Sequence, residues 1–262
     1  MMHRKVVVVT GGAGGGIGHG ITTALAREGW EVLVVDVDES AATDIAERLT
    51  AQAWHVSTLI ADLTDDQTPQ RIVQAALERT GRLDGLVNSA GVSLIKPAGE
   101  ITDEEYDNLL DVNLRAMFRI SRAAQPELAR HRGSIVNVSS VHAHATMPGY
   151  SVYAATKAAI LGLTRGLAID FGPSEVRVNC ILPGLVDGPQ NRALLARMTD
   201  DVDGWIEKFV RSCQLLPHVI QAEEAGDLVG YLLSERARSI TGQSITIDAG
   251  VCAMLWGREV ST

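Results

Sequence analysis

The chain has 262 residues, of which 46% are hydrophobic, and a formal net charge of −9 at pH 7. This length and apolar content suit one large α/β domain with a substantial core, and the acidic charge argues against nucleic acid or an anionic membrane as the main partner. No apolar run approaches the roughly 20 residues that a membrane-spanning helix needs. The three cysteines, Cys180, Cys213 and Cys252, are far apart, which favours free thiols in a reducing cytoplasm over a disulfide framework.

A glycine-rich segment follows the first predicted strand. That strand, Lys5–Thr10, leads into Gly11–Gly18 and then into a helical stretch that reaches Arg27. Glycines allow backbone N–H groups to approach a pyrophosphate, and the N-terminus of the following helix adds favourable partial charge. We therefore predict the phosphate-binding turn of a dinucleotide site; a flexible turn without a ligand is the alternative.

The second predicted strand, Glu31–Asp36, ends in a carboxylate 18 residues after Gly18 (36 − 18). An Asp in this position can accept hydrogen bonds from an adenosine ribose, which selects NAD. A solvated acid at a strand end is the alternative, but the distance from the glycine segment favours the cofactor.

Predicted strands and helices continue to alternate along the chain. The helical patterns are Ser40–Thr50, Gln67–Thr80, Thr102–Arg130, about Ser151–Phe171 and Ala222–Ser234, and the strand patterns are His55–Ala61, Leu83–Asn88, Ser134–Ser140, Val176–Ile181 and Gln243–Ile247. This order predicts a single α/β domain of three layers, a doubly wound parallel sheet of the Rossmann type. The segment Leu185–Gln221 is less regular, and its Trp205 and Phe209 predict either a mobile lid helix or ordinary core anchors.

Three residues that suit proton transfer lie in the second half of the chain. Ser140 ends the fifth predicted strand, and Tyr153 and Lys157 are four residues apart (157 − 153) on the next helix. This spacing puts the Tyr and Lys side chains on one helix face, so they can meet the Ser hydroxyl above the carboxyl edge of the sheet. A nearby ammonium group favours the phenolate, and the hydroxyl can hold a substrate oxygen while Tyr153 transfers the alcohol proton.

Together these motifs resemble the short-chain dehydrogenase/reductase family, over nearly the whole chain from Val6 to about Gly250. The resemblance also uses Asp62 after the third strand, the run Asn88–Gly91, Asn113, Pro183-Gly184 and Asp248-Ala249-Gly250. It implies that Tyr153 is the general acid/base, that Ser140 positions the substrate oxygen, and that Lys157 lowers the pKa of Tyr153 and binds the nicotinamide ribose. Asn113 would help to hold a water-linked proton relay behind Lys157.

The same resemblance implies the cofactor contacts. Asp36 would bind the adenosine ribose and Asp62 the adenine. The remaining contacts are implied at Gly12, Gly16, Ile17, Gly18, Leu63, Asn88, Ala90, Gly91, Pro183, Gly184 and Val186.

The sequence departs from the family pattern at four places. The glycine segment is one residue longer than Thr-Gly-x-x-x-Gly-x-Gly, so we expect a bulged turn near Gly11. Ser89 replaces an Asn and Ala249 replaces a Gly. Gly188 replaces a Thr whose hydroxyl contacts the nicotinamide carboxamide or a phosphate, so that contact is expected to be missing.

The expected function is that of an NAD-dependent short-chain alcohol dehydrogenase or ketoreductase, whose small-molecule substrate is a polyol, a sugar or a hydroxylated ring. The alternatives are a 3-oxoacyl-thioester reductase, which would more often prefer NADPH, and a catalytically silent cofactor sensor. His142 and His144 are candidates for substrate contacts or else solvated loop side chains, and no neighbouring acid or thiol completes a metal site with them. We also expect a cytoplasmic homotetramer, with the apolar tail Val251–Trp256 at a subunit interface.

Overall fold

A parallel sheet of seven strands forms the centre of the molecule in the computed structural model, which describes residues 4–254. The strands are β1 (Val6–Thr10), β2 (Glu31–Asp36), β3 (His55–Ile60), β4 (Gly85–Asn88), β5 (Ser134–Val138), β6 (Arg177–Pro183) and β7 (Ser244–Ile247). The helices are α1 (Ile17–Arg27), α2 (Glu39–Thr50), α3 (Thr68–Thr80), α4 (Asp103–Leu110), α5 (Ala116–Arg130), α6 (Ser151–Phe171), α7 (Pro189–Leu195), α8 (Val202–Cys213) and α9 (Ala222–Leu233). The predicted doubly wound α/β fold is confirmed.

The strand order places the ends of β1 and β4 beside each other. Neighbouring strands run in the order β3-β2-β1-β4-β5-β6-β7, so the chain winds outward in opposite directions from β1 and β4. In the register, Thr10 is opposite Asn88, and Asn88 is opposite Asn137. Ligands of such sheets bind outside the carboxyl ends of the strands at this reversal.

Both faces of the sheet are covered, and β1 shows why its sequence is uniformly apolar. Val6 to Val9 are each 0% exposed. Val7 and Val9 belong to the core layer under α1 and α9, whereas Val6 and Val8 belong to the layer under α3, α5 and α6. Successive side chains on a strand point to opposite faces, so a strand buried on both sides needs a continuous apolar run.

The structure differs from the predicted elements in two stretches. The predicted helix Thr102–Arg130 is divided by a π-helical turn, Asp111–Arg115, between α4 and α5. The less regular segment contains α7 and α8. The predicted burial of the apolar tail at an interface concerns residues up to Trp256 and lies partly outside the described part of the chain.

Candidate active site

The glycine segment turns at two points after β1. Gly11 has φ +63° and Gly15 has φ +53°, a conformation that favours glycine. The N–H of Gly11 donates to the Val35 carbonyl at 2.8 Å, which anchors the first turn to β2. A Cβ atom at Gly12 would lie 2.7 Å from Thr22 Oγ1, so this glycine is packed against α1. The bend expected near Gly11 is present, and the longer segment bends again at Gly15.

The carboxylate of Asp36 faces the same segment. Its Oδ2 accepts a hydrogen bond from the Ala13 N–H at 3.1 Å, and its Oδ1 accepts from the N–H of Val37 at 2.8 Å. A shallow hollow opens beyond Asp36 along α2, and every ionisable residue that lines it is an acid: Asp38, Glu39, Asp44 and Glu47. The end of β2 is therefore a surface of negative charge beside the glycine segment.

A histidine and an arginine that the motifs did not single out flank this surface. His19 Nδ1 lies 3.3 Å from the Ala13 carbonyl oxygen, and the other ring nitrogen contacts the Arg48 guanidinium at the end of α2. With Nδ1 protonated, His19 donates to Ala13 and accepts from Arg48. The two side chains thus fix the backbone of the glycine segment from the side opposite Asp36.

Ser140, Tyr153 and Lys157 come together at the carboxyl edge of the sheet. Ser140 follows the end of β5, is 8% exposed, and accepts a hydrogen bond from the His142 N–H at 3.2 Å. Tyr153 and Lys157 project from the first turns of α6, and Lys157 Nζ lies 5.6 Å from the centre of the Tyr153 ring. Lys157 is 4% exposed and donates to the Val138 carbonyl at 3.2 Å, which ties α6 to the end of β5.

Burial controls the protonation of this group more strongly than the expected charge effect. Burial raises the pKa of Tyr153, and an interaction with the Ser140 hydroxyl acts in the opposite direction. Burial also lowers the pKa of Lys157 to about 8. The predicted lowering of the Tyr153 pKa is therefore wrong for the chain by itself, because removing the phenolate from water outweighs the stabilisation available around it.

Asn113 lies in the π-helical turn and is 0% exposed. Its Oδ1 accepts from the Val92 N–H at 2.8 Å, and its amide donates to the Val92 carbonyl at 2.9 Å and to Thr156 Oγ1 at 3.1 Å. A Cβ atom at Gly91 would lie 3.2 Å from Asn113 Oδ1 and 3.3 Å from Lys157 Nζ. Asn113 therefore adjoins Lys157, as expected, and it also joins the loop after β4 to α6.

Asn88, which the resemblance implies as a cofactor contact, and buried polar side chains that the motifs did not identify hold the strand ends in place. Asn88 donates to Asn137 Oδ1 at 2.9 Å and to Ser121 Oγ at 3.0 Å, and Asn137 donates to Thr164 Oγ1 at 3.0 Å. This network connects β4 and β5 with α5 and α6. A buried Asn in a predicted strand, such as Asn137, is the sequence signal that could have revealed it, because a polar group in a core needs partners.

Thr10 performs a similar role at the end of β1. Its hydroxyl accepts from the N–H groups of Ser89 at 3.2 Å and Ala90 at 3.3 Å. The contribution of position 89 is thus made by its backbone.

Ala249, which replaces a Gly, occupies the left-handed region with φ +52°. This conformation costs a residue with a side chain about 1–2 kcal/mol relative to glycine.

The remaining predicted residues lie around the same edge at different depths. Asp62 is exposed and accepts from the N–H and hydroxyl of Thr64 at 2.8 and 2.7 Å, which lowers the pKa of its carboxyl. Leu63 packs against the core layer under α3. Pro183 ends β6, a Cβ atom at Gly184 would lie 2.9 Å from the Asp248 Cα, and Val186 pairs with Ile220.

The two histidines after Ser140 have different positions. The His142 ring lies 4.5 Å from the Tyr150 ring and 5.4 Å from the Tyr153 ring, and its Nδ1 is 2.8 Å from Thr146 Oγ1. Burial lowers the pKa of His142, which favours the neutral form of the ring. His144 is exposed. The structure therefore brings His142 beside the Tyr153 side chain and leaves His144 in the solvent.

The lid candidates are partly buried on α8. The rings of Trp205 and Phe209 stack 5.4 Å apart with an angle of 11° between their planes. The predicted helix is present, and the stacked pair anchors one face of it. The movement of this helix as a lid stays a prediction.

Comparison with known proteins supports the fold and identifies the family. A family model described as Enoyl-(Acyl carrier protein) reductase matches residues 12–252. Cyclopentanol dehydrogenase of a Comamonas species is 32% identical over 96% of this chain and 98% of the relative, and oxidoreductase UcpA of Escherichia coli O157:H7 is 32% identical over 94% of each chain. A solved variant of actinorhodin polyketide ketoreductase with NADPH has a TM-score of 0.89 over 96% of this chain and 98% of that chain, and its 24% identity shows a common fold alone.

Proposed function

Because the chain belongs to the short-chain dehydrogenase/reductase family, whose members are oxidoreductases, we propose that it transfers a hydride between a secondary alcohol and NAD. The observation that carries the proposal is the cluster of Ser140, Tyr153 and Lys157, which lies at the same edge of the sheet as the glycine segment. A proton-transfer group beside a dinucleotide cradle is what oxidation of an alcohol requires.

In this proposal the chain supplies proton transfer and orientation, and the bound nicotinamide supplies the hydride acceptor. Ser140 holds the alcohol oxygen, and Tyr153 takes its proton during oxidation or returns it during reduction. Lys157, which Val138 holds in place, stabilises the ionised Tyr153 and binds the nicotinamide ribose. Asn113 holds the loop after β4 beside Lys157. In this proposal it also helps to hold the water-linked relay that carries the proton from behind Lys157 to solvent.

The glycine segment and the end of β2 fit the adenosine half of a dinucleotide. The glycine segment leads into the N-terminus of α1, where the backbone N–H groups at the start of the helix favour a diphosphate. Asp36 is placed to accept from ribose hydroxyl groups, and Asp62 lies at the neighbouring strand end for the adenine. The acids of the adjoining hollow support NAD over NADP, because NADP carries an additional phosphate at this position.

For the substrate we propose a secondary alcohol on a ring. The relative named cyclopentanol dehydrogenase supports this class. The His142 ring lies against the Tyr153 ring, so in this proposal it forms part of the wall that a substrate contacts. Polyols and sugars also carry secondary hydroxyl groups and are the other substrates that we consider.

A second candidate is the reduction of a 3-oxoacyl thioester; the description of the matching family model, Enoyl-(Acyl carrier protein) reductase, names a different reduction of the same class of acyl thioesters. Such reductases would more often use NADPH, and the acidic hollow beside Asp36 disfavours that cofactor. A catalytically silent cofactor sensor is a weaker alternative, because such a protein typically lacks the Tyr or the Lys, and this chain has both Tyr153 and Lys157.

The test is a panel of cyclic and acyclic secondary alcohols with NAD, followed at the NADH absorbance, with the 3-oxoacyl thioester and NADPH as the competing pair.

Tyr153→Phe keeps the ring and removes the titrating hydroxyl, so we expect kcat to fall by at least about 10²-fold while NAD affinity changes little. Because burial raises the pKa of Tyr153, oxidation by the wild type should accelerate as the pH rises from 6 toward 8, the pH at about which Lys157 loses its proton. Turnover by Tyr153→Phe near that of the wild type would exclude this role.

A further inference from the structure

The glycine segment depends on its neighbours for its conformation. Six of the eight residues from Gly11 to Gly18 are glycines, and Ala13 is the sole other residue between Gly11 and Gly16. Glycine loses more backbone freedom on ordering than any other residue. A segment of this composition therefore binds a ligand at an entropic cost unless other parts of the chain hold it in place beforehand.

Ala13 is the residue at which the segment is held. It is 4% exposed, and both of its backbone polar groups have partners. Its N–H donates to Asp36 Oδ2 at 3.1 Å. Its carbonyl oxygen accepts from the Gly15 N–H at 2.8 Å and lies 3.3 Å from His19 Nδ1. Asp36 at the end of β2 and His19 on α1 thus hold the same residue of the segment.

The partners of the His19 ring determine which nitrogen carries the proton. A guanidinium group only donates hydrogen bonds, so Nε2 of His19 must accept from Arg48. The Ala13 carbonyl only accepts, so Nδ1 carries the proton and donates to it. Asp44 lies four residues before Arg48 on α2, yet within the described residues Arg48 forms no ion pair and contacts His19 instead. Arg48 thus favours the tautomer of His19 that can hold Ala13.

We propose that His19 is a positioning residue for the dinucleotide: its bond to Ala13 holds the glycine segment in the conformation that binds the diphosphate before the cofactor arrives, and Arg48 keeps His19 in the required tautomer. This inference rests on the proposed function, since the ligand is the same cofactor. His19 itself touches neither the cofactor nor the substrate. Its removal should therefore weaken cofactor binding and leave the rate of the bound complex unchanged.

Three substitutions separate the bond to Ala13 from the rest of the ring. In Asn the side-chain nitrogen is joined to Cβ through one intervening atom, as Nδ1 is in His, so His19→Asn still donates to Ala13. In Gln the nitrogen and oxygen are joined to Cβ through two intervening atoms, as Nε2 is in His, so His19→Gln retains a contact for Arg48 and loses the bond to Ala13. His19→Ala removes both contacts.

Calorimetry of NADH, ADP and adenosine with the full-length wild type and these variants measures the effect. We expect His19→Ala and His19→Gln to weaken NADH and ADP binding about three- to tenfold, on the scale of one hydrogen bond, and His19→Asn to stay within about twofold of the wild type. Adenosine has no phosphate, and Asp36 keeps its bonds from the N–H groups of Val37 and Asp38 at 2.8 and 3.2 Å. Adenosine should therefore bind all four proteins equally.

Hydrogen exchange and kinetics show whether His19 acts through the segment. Without ligand, the peptide that contains residues 11–18 should exchange faster in His19→Ala than in the wild type or His19→Asn. KM for NAD should rise in His19→Ala while kcat at saturating NAD stays unchanged. Arg48→Ala should weaken NADH binding by less than His19→Ala does and have no further effect when combined with it. His131→Ala, which changes a half-buried His at the end of α5, is the matched control and should behave like the wild type.

Each contrary result overturns a defined part of the proposal. If His19→Ala binds NADH and ADP as the wild type does, His19 does not position the segment. If His19→Asn binds as weakly as His19→Ala, the bond to Ala13 is not the cause, and if adenosine binding falls in parallel, the effect does not belong to the diphosphate. Further weakening by Arg48→Ala in the His19→Ala protein would show that Arg48 acts through its charge and not through His19. A wild type that binds neither NADH nor ADP would overturn the proposed function together with this inference.

Discussion

At the scale of the residue, we propose that Asp36 decides the choice between NAD and NADP. Its carboxylate is held by the N–H groups of Ala13 and Val37, so it cannot turn away from the ribose position without losing these bonds. The hollow beyond it is lined by further acids. Arg48 is a cation at the end of α2 beside this hollow, but its guanidinium already contacts the His19 ring. A phosphate on the adenosine ribose would therefore meet repulsion with little compensation.

We predict that NAD is preferred over NADP by at least about 10²-fold in kcat/KM. Two like charges about 4 Å apart repel each other by about 4 kcal/mol at an effective dielectric constant near 20. Each 1.4 kcal/mol of that repulsion corresponds to about a tenfold change in kcat/KM. Asp36→Ala should narrow this ratio by weakening the use of NAD and improving that of NADP. Steady-state kinetics with both cofactors on one substrate measures it. Glu78→Ala on α3 removes an exposed acid elsewhere and should leave the ratio unchanged. Equal use of both cofactors by the wild type would contradict the role of Asp36.

At the scale of the element, the position of α6 relative to β5 decides whether the proton-transfer group is aligned. Ser140 follows β5, whereas Tyr153 and Lys157 belong to α6, so the cluster requires a fixed contact between the two elements. Asn137 in β5 provides it by donating to Thr164 of α6 at 3.0 Å. It also accepts from Asn88 at 2.9 Å, which extends the connection to β4.

We predict that Asn137→Ala lowers the free energy of unfolding by about 1–3 kcal/mol, because buried polar partners lose their hydrogen bonds. It should also lower kcat by about ten- to a hundredfold, because small misplacements of reacting groups are costly. The matched control is Asn179→Ala in β6, a buried Asn that binds the Ile240 carbonyl at 2.8 Å. Urea unfolding should show a similar loss of stability in both variants, and kinetics should show a loss of kcat in Asn137→Ala only. A parallel fall of kcat in both variants would argue that general stability, and not alignment, is affected.

At the scale of the whole molecule, the outer face of α6 has an unusual composition. Its exposed positions include Ala155, Ala158, Gly162, Gly166 and Ile169, of which Ile169 is 75% exposed, and the charged residues Arg165 and Asp170 are exposed near its C-terminal end. Within the described residues, Ser151–Ser174 is long and apolar enough to cross a membrane by length and composition only. The inner face of α6 packs on the sheet beneath Tyr153. We therefore favour contact with another subunit as the explanation of the apolar outer face of α6.

We predict a homotetramer in which this face of α6 is buried. Ile169→Glu should dissociate it, because a buried carboxylate without a partner is unfavourable. Light scattering of the wild type and variant at micromolar concentration measures the mass, and circular dichroism shows that the variant is folded. Gln52→Glu adds the same charge elsewhere and should remain tetrameric. A wild type that is a stable monomer would contradict the assembly, and a tetrameric Ile169→Glu would place the interface elsewhere.

The sequence by itself determined the order of the elements, the parallel sheet and the residues at its carboxyl edge. These follow from local patterns: the run Val6–Val9 indicates a strand buried on both faces, and the spacing of Tyr153 and Lys157 places them on one side of a helix. Boundaries such as Glu31–Asp36 agree with the structure because each is marked by a local change of residue type.

The tertiary structure alone decided the properties that depend on residues far apart in the chain. Asn113 reaches Val92 and Thr156 because a π-helical turn, absent from the predicted helix, rotates its side chain inward. The pKa of Tyr153 moves upward, contrary to expectation, because burial depends on all the elements that surround it. Gln190 meets Gly14 and Gly16 across more than a hundred and seventy residues of sequence (190 − 16 = 174). No local pattern encodes such a contact, because it exists only once β1 and β6 have taken their places in one sheet.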